Sequence, residues 1–202
     1  MDTDTQLPNN MMHFILTQFD STMGVNGTRT VLNYSGLSRL IDNYPPRDFN
    51  PGEPLKTFFT LIASLLEIYG EKGYRALLRD VGKKTFYEMK AAFPWLFEVE
   101  ESMLAGLSPG EQFALTYKSY VDKASKIFDA KTLLELSPRK IVDTAAECIW
   151  CIGLRSSGPI CIFTEDFYTA MAGSMGVSSV KVVETRCRAA GDEACVFVTT
   201  FE

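Results

Sequence analysis

The run from Pro159 to Phe201, PICIFTEDFYTAMAGSMGVSSVKVVETRCRAAGDEACVFVTTF, constrains the fold more than any other stretch of the chain. It reads as a helix followed by two strands joined at the turn Ala190-Gly191-Asp192-Glu193, and it carries three cysteines. A helix and a hairpin that converge can bring three thiols and one carboxylate within reach of a single ion. Thiolates with a carboxylate are a ligand set for zinc in a closed, four-coordinate site that stabilises folding rather than catalysing a reaction. No such set is complete within a local spacing motif, so only tertiary folding can assemble it.

The other two cysteines form Cys148-Ile149-Trp150-Cys151, a spacing used both by zinc half-sites and by redox motifs. The redox use expects a helix opening after a strand in a thioredoxin-like unit, and no such unit is legible. A metal site that recruits Cys148 or Cys151 stays open, as does an interior in which the cysteines are small buried hydrophobes. Five is an odd number for a disulfide framework. The opening MDTDTQLPNNMMHF is acidic and polar, unlike the basic start of a secretory signal. No apolar run approaches the ~20 residues that span a bilayer. A cytoplasmic protein with reduced thiols and no membrane span is expected. A formal charge of -5 leaves no basic face for nucleic acid, and no nucleic-acid partner is expected.

At 202 residues and 46% apolar content the chain can bury one sizeable core. Residues 9 to 23 are predicted as a helix capped by Asn9 or Asn10 and stopped by Gly24, with Met12, Ile15, Leu16, Phe19 and Met23 on one face. The sole histidine, His13, lies on it without a partner nearby, which argues against a histidine-dependent triad. Short helices are predicted from Asn26 through Leu32 and around Leu37 to Ile41, before the loop through Pro45-Pro46 and Pro51-Gly52. Gly24 and Gly27 lack the lysine and the preceding strand of a phosphate loop.

The strongest helical period follows: Leu55, Phe58, Phe59, Ile62, Leu65, Leu66 and Tyr69, ended by Gly70. A second helix runs from about Lys72 to Phe93, with Tyr74, Leu77, Leu78, Val81, Thr85 and Met89 inward and a basic stripe of Lys72, Arg75, Arg79 and Lys83 opposite. The stripe is a solvated face or a rim for a ligand carboxylate. Ser108-Pro109-Gly110-Glu111 is a capping box opening a further helix, with Phe113, Tyr117, Tyr120, Val121, Ala124, Ile127 and Phe128 on its buried face. The abundance of inward aromatic and methionine side chains fills a core or lines an apolar pocket. Phe113, Tyr117 and Tyr120 on this helix, with Phe163, Phe167 and Tyr168 on the helix after Cys161, are the candidate ligand-binding residues.

From residue 131 the pattern changes. Residues 132–136 and 140–145 flank Ser137-Pro138 as a hairpin, and strands are predicted at about Val177 to Cys187 and Cys195 to Phe201. The fold class is α+β: a helical part, residues 1–130, packed on a four-stranded antiparallel sheet within residues 131–202, the two forming one structural domain.

The segment E-T-R-C-R-A-A-G-D-E-A-C-V-F, with Glu184, Cys187, Gly191, Asp192, Cys195 and Phe197, and with Pro159 and Cys161 upstream, resembles the 4-vinyl-reductase-type domain. That domain occurs in pigment-synthesis proteins and aromatic-sensing transcription activators. The resemblance is strongest over residues 130 to 202 and looser in N-G-T-R-T-V-L-N and L-I-D-N-Y-P-P. It implies a fold shared with NO-signalling domains and with subunits of a Golgi vesicle-tethering complex, assembled as a homodimer. It also implies a structural zinc ion held by Cys161, Glu184, Cys187 and Cys195. A turn centred on Gly191 sets Cys187 and Cys195 opposite each other, with Cβ atoms ~5 Å apart. Glu184 lies three residues before Cys187, and a regular strand would point the two to opposite faces. The zinc set therefore requires a bulge or a strand end between Thr185 and Cys187.

Two function classes follow from the resemblance. One is a binding, carrier or sensor module whose pocket holds a small hydrophobic ligand, a tetrapyrrole, an aromatic or a lipid. The other is a reductase acting on the vinyl group of a chlorophyll or bacteriochlorophyll precursor, which needs a hydride source. The chain shows no dinucleotide or flavin fingerprint and too few cysteines for a metal site beside an iron–sulfur cluster. Binding is favoured over catalysis, and no catalytic residue is assigned.

Overall fold

The computed structural model describes residues 3–128, 130–177 and 179–202. Near the N-terminus a short ribbon pairs β1 (Gln6–Pro8) antiparallel with β2 (Pro51–Pro54). The loop expected at Pro51-Gly52 is thus a strand. Prolines at its ends supply no N–H and leave no alternating pattern for the sequence to show.

Helix α1 (Asn9–Met23) starts and stops as predicted, although Pro8 rather than an asparagine occupies the N-cap. Met12, Ile15, Leu16 and Phe19 are buried, while Met23 at the end is half-buried. Helix α2 (Val25–Tyr34) follows, and the helix expected near Leu37 is a single 3₁₀ turn, Ser38–Leu40. Helix α3 (Leu55–Ala92) contains both predicted helices, joined where Gly70 adopts φ 63° and ψ 172°. That backbone conformation is open to glycine and breaks the helical ladder, so the two halves keep separate apolar faces. After the short α4 (Glu101–Leu104), α5 (Pro109–Phe128) begins with the predicted box. The Ser108 N–H donates to Glu111 Oε2 at 2.8 Å, and the Glu111 N–H donates back to Ser108 Oγ at 3.4 Å.

Strands β3 (Thr132–Ser137) and β4 (Lys140–Ala145), helix α6 (Ile162–Gly173), and strands β5 (Val180–Arg186) and β6 (Cys195–Phe201) complete the α+β fold. The sheet is wholly antiparallel in the order β3-β4-β6-β5. Helix α6 is shorter than expected, ending before Gly176, and β5 starts at Val180 rather than Val177. Ile141, Asp143, Phe197, Thr199 and Phe201 alternate inward and are buried, as a sheet with one covered face requires. One hydrophobic core joins the helices before residue 130 to α6 and the sheet.

Helix α6 packs most extensively along α3, and the close approach rests on Gly82. A Cβ there would collide with the Phe163 carbonyl oxygen and stand 3.1 Å from the Phe163 Cα. Overpacking against rigid backbone costs about 1–3 kcal/mol. Gly82→Ala is therefore expected to lower the thermal midpoint by several degrees and to weaken ligand binding together with it. An unchanged midpoint in a calorimetric scan would contradict this packing.

Candidate metal centre and ligand pocket

Five buried cysteines meet at the junction of α6, the β5–β6 hairpin and the segment 146–161. Cys161 is the N-cap of α6, Cys187 follows the last residue of β5, and Cys195 opens β6. The β5–β6 register shifts between Glu184 and Arg186, and β5 ends at Arg186. This irregularity turns Glu184 and Cys187 toward the same point, which the zinc reading demanded of the strand. The ligand atoms of Cys161, Glu184, Cys187 and Cys195 all lie within 4.8 Å of one another. Cys148, Cys151, Cys161 and Cys195 form a second set meeting the same condition.

The spacing suits one ion per set. A tetrahedral zinc with Zn–S near 2.3 Å spans sulfurs about 3.8 Å apart. Cys161 Sγ is 3.9 Å from both Cys187 Sγ and Cys195 Sγ. Cys148 Sγ stands 3.5 Å from Cys161 Sγ, and Cys151 Sγ is 3.3 Å from Cys195 Sγ. Glu184 is buried, and its Oε2 accepts the Cys161 N–H at 2.8 Å, whereas its Oε1 has no hydrogen-bond partner. A buried carboxylate oxygen left without a donor is costly unless a cation faces it. Outer contacts hold the sulfurs in place. Asp192 Oδ2 accepts the Cys187 N–H at 2.8 Å, and the Arg188 N–H points at Cys195 Sγ from 3.5 Å.

Hydrogen bonds from Cys148 and the other sulfurs lower the Cys151 thiol, while hydrogen bonding among the same sulfurs pushes Cys161 up. Sulfurs so close cannot all carry charge without a cation.

Beside this cluster an apolar cavity of about 160 Å³ opens between helices and loop. Helix α1 contributes Asn10, Met11, Phe14 and Ile15, and α3 contributes Thr85 and Met89. Helix α5 supplies Tyr120, Val121 and Phe128, and α6 supplies Phe163, Phe167 and Tyr168. Ile149 and Trp150 close the side next to the cysteines, with the Trp150 ring stacked on Phe163 at 3.7 Å. Four of the six aromatic residues expected to bind ligand thus line it. Phe113 and Tyr117 do not; they are fully buried behind the wall, against Phe201 and Tyr168. Trp150 and the second face of α1 lie outside the set expected from the sequence, although an aromatic residue inside C-x-x-C was the available signal for the first. Asn10 Oδ1 and Thr85 Oγ1 are buried in this lining without hydrogen-bond partners.

A polar pair of tyrosines backs the wall. The Tyr117 and Tyr168 hydroxyls donate to Asp143 Oδ2 at 3.0 and 3.3 Å, and burial pushes the Asp143 carboxyl up to about 6. An acid at an inward position of I-V-D-T was the signal for this group. The basic stripe on α3 pins neighbours instead of rimming the cavity. Arg79 Nε donates to Asp166 at 3.2 Å, and Arg75 donates to the Pro159 carbonyl. His13 Nδ1 lies 2.8 Å from the Pro45 carbonyl, and His13 is not among the cavity's lining residues.

Helices laid on one face of an antiparallel sheet, with an apolar cavity between the layers, define the class as a ligand-binding α+β domain. Residues 141–201 match the 4-vinyl-reductase-type domain family, and this segment of the chain is a domain of that type. The fold of the whole chain is similar to that of H-NOX proteins. It matches Fe(II) unliganded H-NOX from K. algicida with a TM-score of 0.64 at 11% identity, covering 97% of each chain. It matches a variant of the H-NOX protein of T. Tengcongensis with a TM-score of 0.65 at 11% identity, over 97% of this chain and 98% of that one. A third structure, described for heme distortion in the H-NOX family, gives 0.63 at 12% identity over 96% and 95%. No curated protein matches the chain. No helix among the described residues is long and apolar enough to cross a membrane.

Proposed function

We propose that the protein is a ligand-binding sensor or carrier module whose cavity takes a single aromatic ring bearing a hydroxyl, and whose wall is fixed by zinc on Cys161, Glu184, Cys187 and Cys195. The observation that carries the ligand reading is the cavity itself. It is apolar, measures about 160 Å³, and contains two polar atoms, Asn10 Oδ1 and Thr85 Oγ1, that lack partners. A cavity of roughly 150 Å³ accommodates benzene. A phenolic hydroxyl would supply the hydrogen bond that Asn10 or Thr85 lacks.

Zinc supplies charge neutralisation and a rigid crosslink when bound, and no reaction step is assigned to it. The orphaned Glu184 Oε1 and the sulfur spacing support this ligand set. Ile149-Trp150 and Phe163, each within two residues of a cysteine of the cluster, connect the metal centre to the cavity.

The heme described for the structural neighbours fits this chain poorly. Drug-sized ligands, which a porphyrin equals or exceeds, occupy roughly 300–1,000 Å³. Its single histidine, a common axial ligand of heme iron, is held at Pro45 instead. A tetrapyrrole would require α1 or the 146–161 segment to move outward.

Fluorescence of Trp150, measured in a Trp95→Phe background, tests the reading against phenol, benzene and a porphyrin. Phenol is expected to bind tightest. In Asn10→Leu with Thr85→Val the preference for phenol over benzene should fall by roughly 5- to 150-fold, the equivalent of about 1–3 kcal/mol for an unmet buried polar group. Tight porphyrin binding with no response to either small ring would overturn it.

A further inference from the structure

We infer that the cysteine cluster holds two zinc ions rather than one, with Cys161 and Cys195 as shared thiolates. The inference rests on the zinc reading above and extends it with residues outside that four-ligand set. The two ligand sets overlap in Cys161 and Cys195 and differ in their outer pairs, Glu184 with Cys187 on one side and Cys148 with Cys151 on the other. Six ligand groups arranged as two tetrahedra sharing an edge provide four donors to each of two ions. A thiolate sulfur has lone pairs enough to bridge.

Charge points the same way. Five thiolates and a carboxylate carry six negative charges in a buried site, and one divalent ion would leave four. Two ions leave two, which the Arg188 N–H at Cys195 and the Cys161 N–H at Glu184 help to hold. With one ion, Cys148 and Cys151 would be idle thiols pressed to 3.5 and 3.3 Å from ligand sulfurs.

The loop supplies an independent observation. Residues 146–161 form neither helix nor strand, yet Cys148, Trp150, Cys151 and Ile160 are buried within it. Segments of this length without regular structure are uncommon in compact domains and need some other means of being fixed. An ion on Cys148 and Cys151 would fasten the loop to α6 and the hairpin, on either side of the Ile149-Trp150 wall.

Native mass spectrometry of the full chain, purified with zinc in the medium, tests this by counting ions. Two per chain are expected, falling to one in Cys148→Ser with Cys151→Ser. Wild-type protein loaded with ¹¹³Cd is expected to show two resonances split by mutual coupling through the shared sulfurs. This reading does not depend on the variant folding. One ion in wild type, or two uncoupled cadmium resonances, would overturn the bridged site and leave the four-ligand zinc reading intact. No ion at all would overturn both.

Discussion

Stripping zinc from the protein with a strong chelator is expected to lower its thermal midpoint by roughly 6–20 °C, and zinc re-addition is expected to restore it. The magnitude comes from Glu184. Its carboxylate is buried, accepts only the Cys161 N–H through one oxygen, and leaves the other oxygen unpaired. Removing the partner of a buried charge costs about 3–5 kcal/mol. A chain of this size loses about 2–4 °C per kcal/mol. The cysteines add less, since a reprotonated thiol is a tolerable buried group. Loss of the ion should also loosen Ile149-Trp150, so Trp150 emission should shift to the red before the helices melt. Calorimetry with and without chelator, with metal content measured on the same samples, decides the matter. A midpoint unmoved after verified metal removal would refute the structural role.

Asp143→Asn is expected to stabilise the protein above pH 6 by up to about 3 kcal/mol and to flatten its stability between about pH 4 and 6. In the folded chain burial raises the Asp143 carboxyl from 3.8 to about 6, against the opposing hydrogen bonds from Tyr117 and Tyr168. Unfolded, the group titrates near its ordinary value. Across that window the folded state keeps a proton that the unfolded state has released. Stability therefore falls as pH rises, by roughly 1.4 kcal/mol for each pH unit crossed. Above about pH 6 the full loss persists. Asparagine stays neutral throughout and still offers an oxygen to both tyrosine hydroxyls. Denaturant titrations of both proteins from pH 4 to 8 should diverge through the window and run parallel above it. Curves parallel over the whole range would show that Asp143 titrates normally.

A buried acid beside the cavity is consistent with the role proposed for that cavity. Tyr168 donates to Asp143 and also lines the pocket, and Tyr117 packs its ring on Tyr168 at 4.1 Å. The pair fixes the aromatic wall from behind, as the metal centre fixes it from the side.

Much of the frame was legible before folding. The apolar faces of α3, the Gly70 break, the capping box of α5, the β3–β4 hairpin and the span of β6 follow from period and turn chemistry that act within a few residues. The β1–β2 ribbon was not, because proline-bounded strands of three and four residues carry no alternation. The need for an irregularity near Thr185 could be argued from the parity of Glu184 and Cys187, and the register shift lies there.

The cavity was legible only in outline. Tyr120, Phe163, Phe167 and Tyr168 reach it while Phe113 and Tyr117 do not, although all six read alike as inward aromatic residues on amphipathic helices. Which inward side chain meets a void depends on the angle between helices, which no local period encodes. Likewise the spacing of Cys148 and Cys151 marked a possible half-site, but not that both sulfurs would come to rest against Cys161 and Cys195. By itself the sequence determined the elements, their buried faces and the kinds of ligand atom available, because these follow from short-range periodicity and side-chain chemistry. Only the tertiary structure decided which of those atoms share a point in space, because convergence across 13 to 44 residues of separation is set by how helix, hairpin and loop pack.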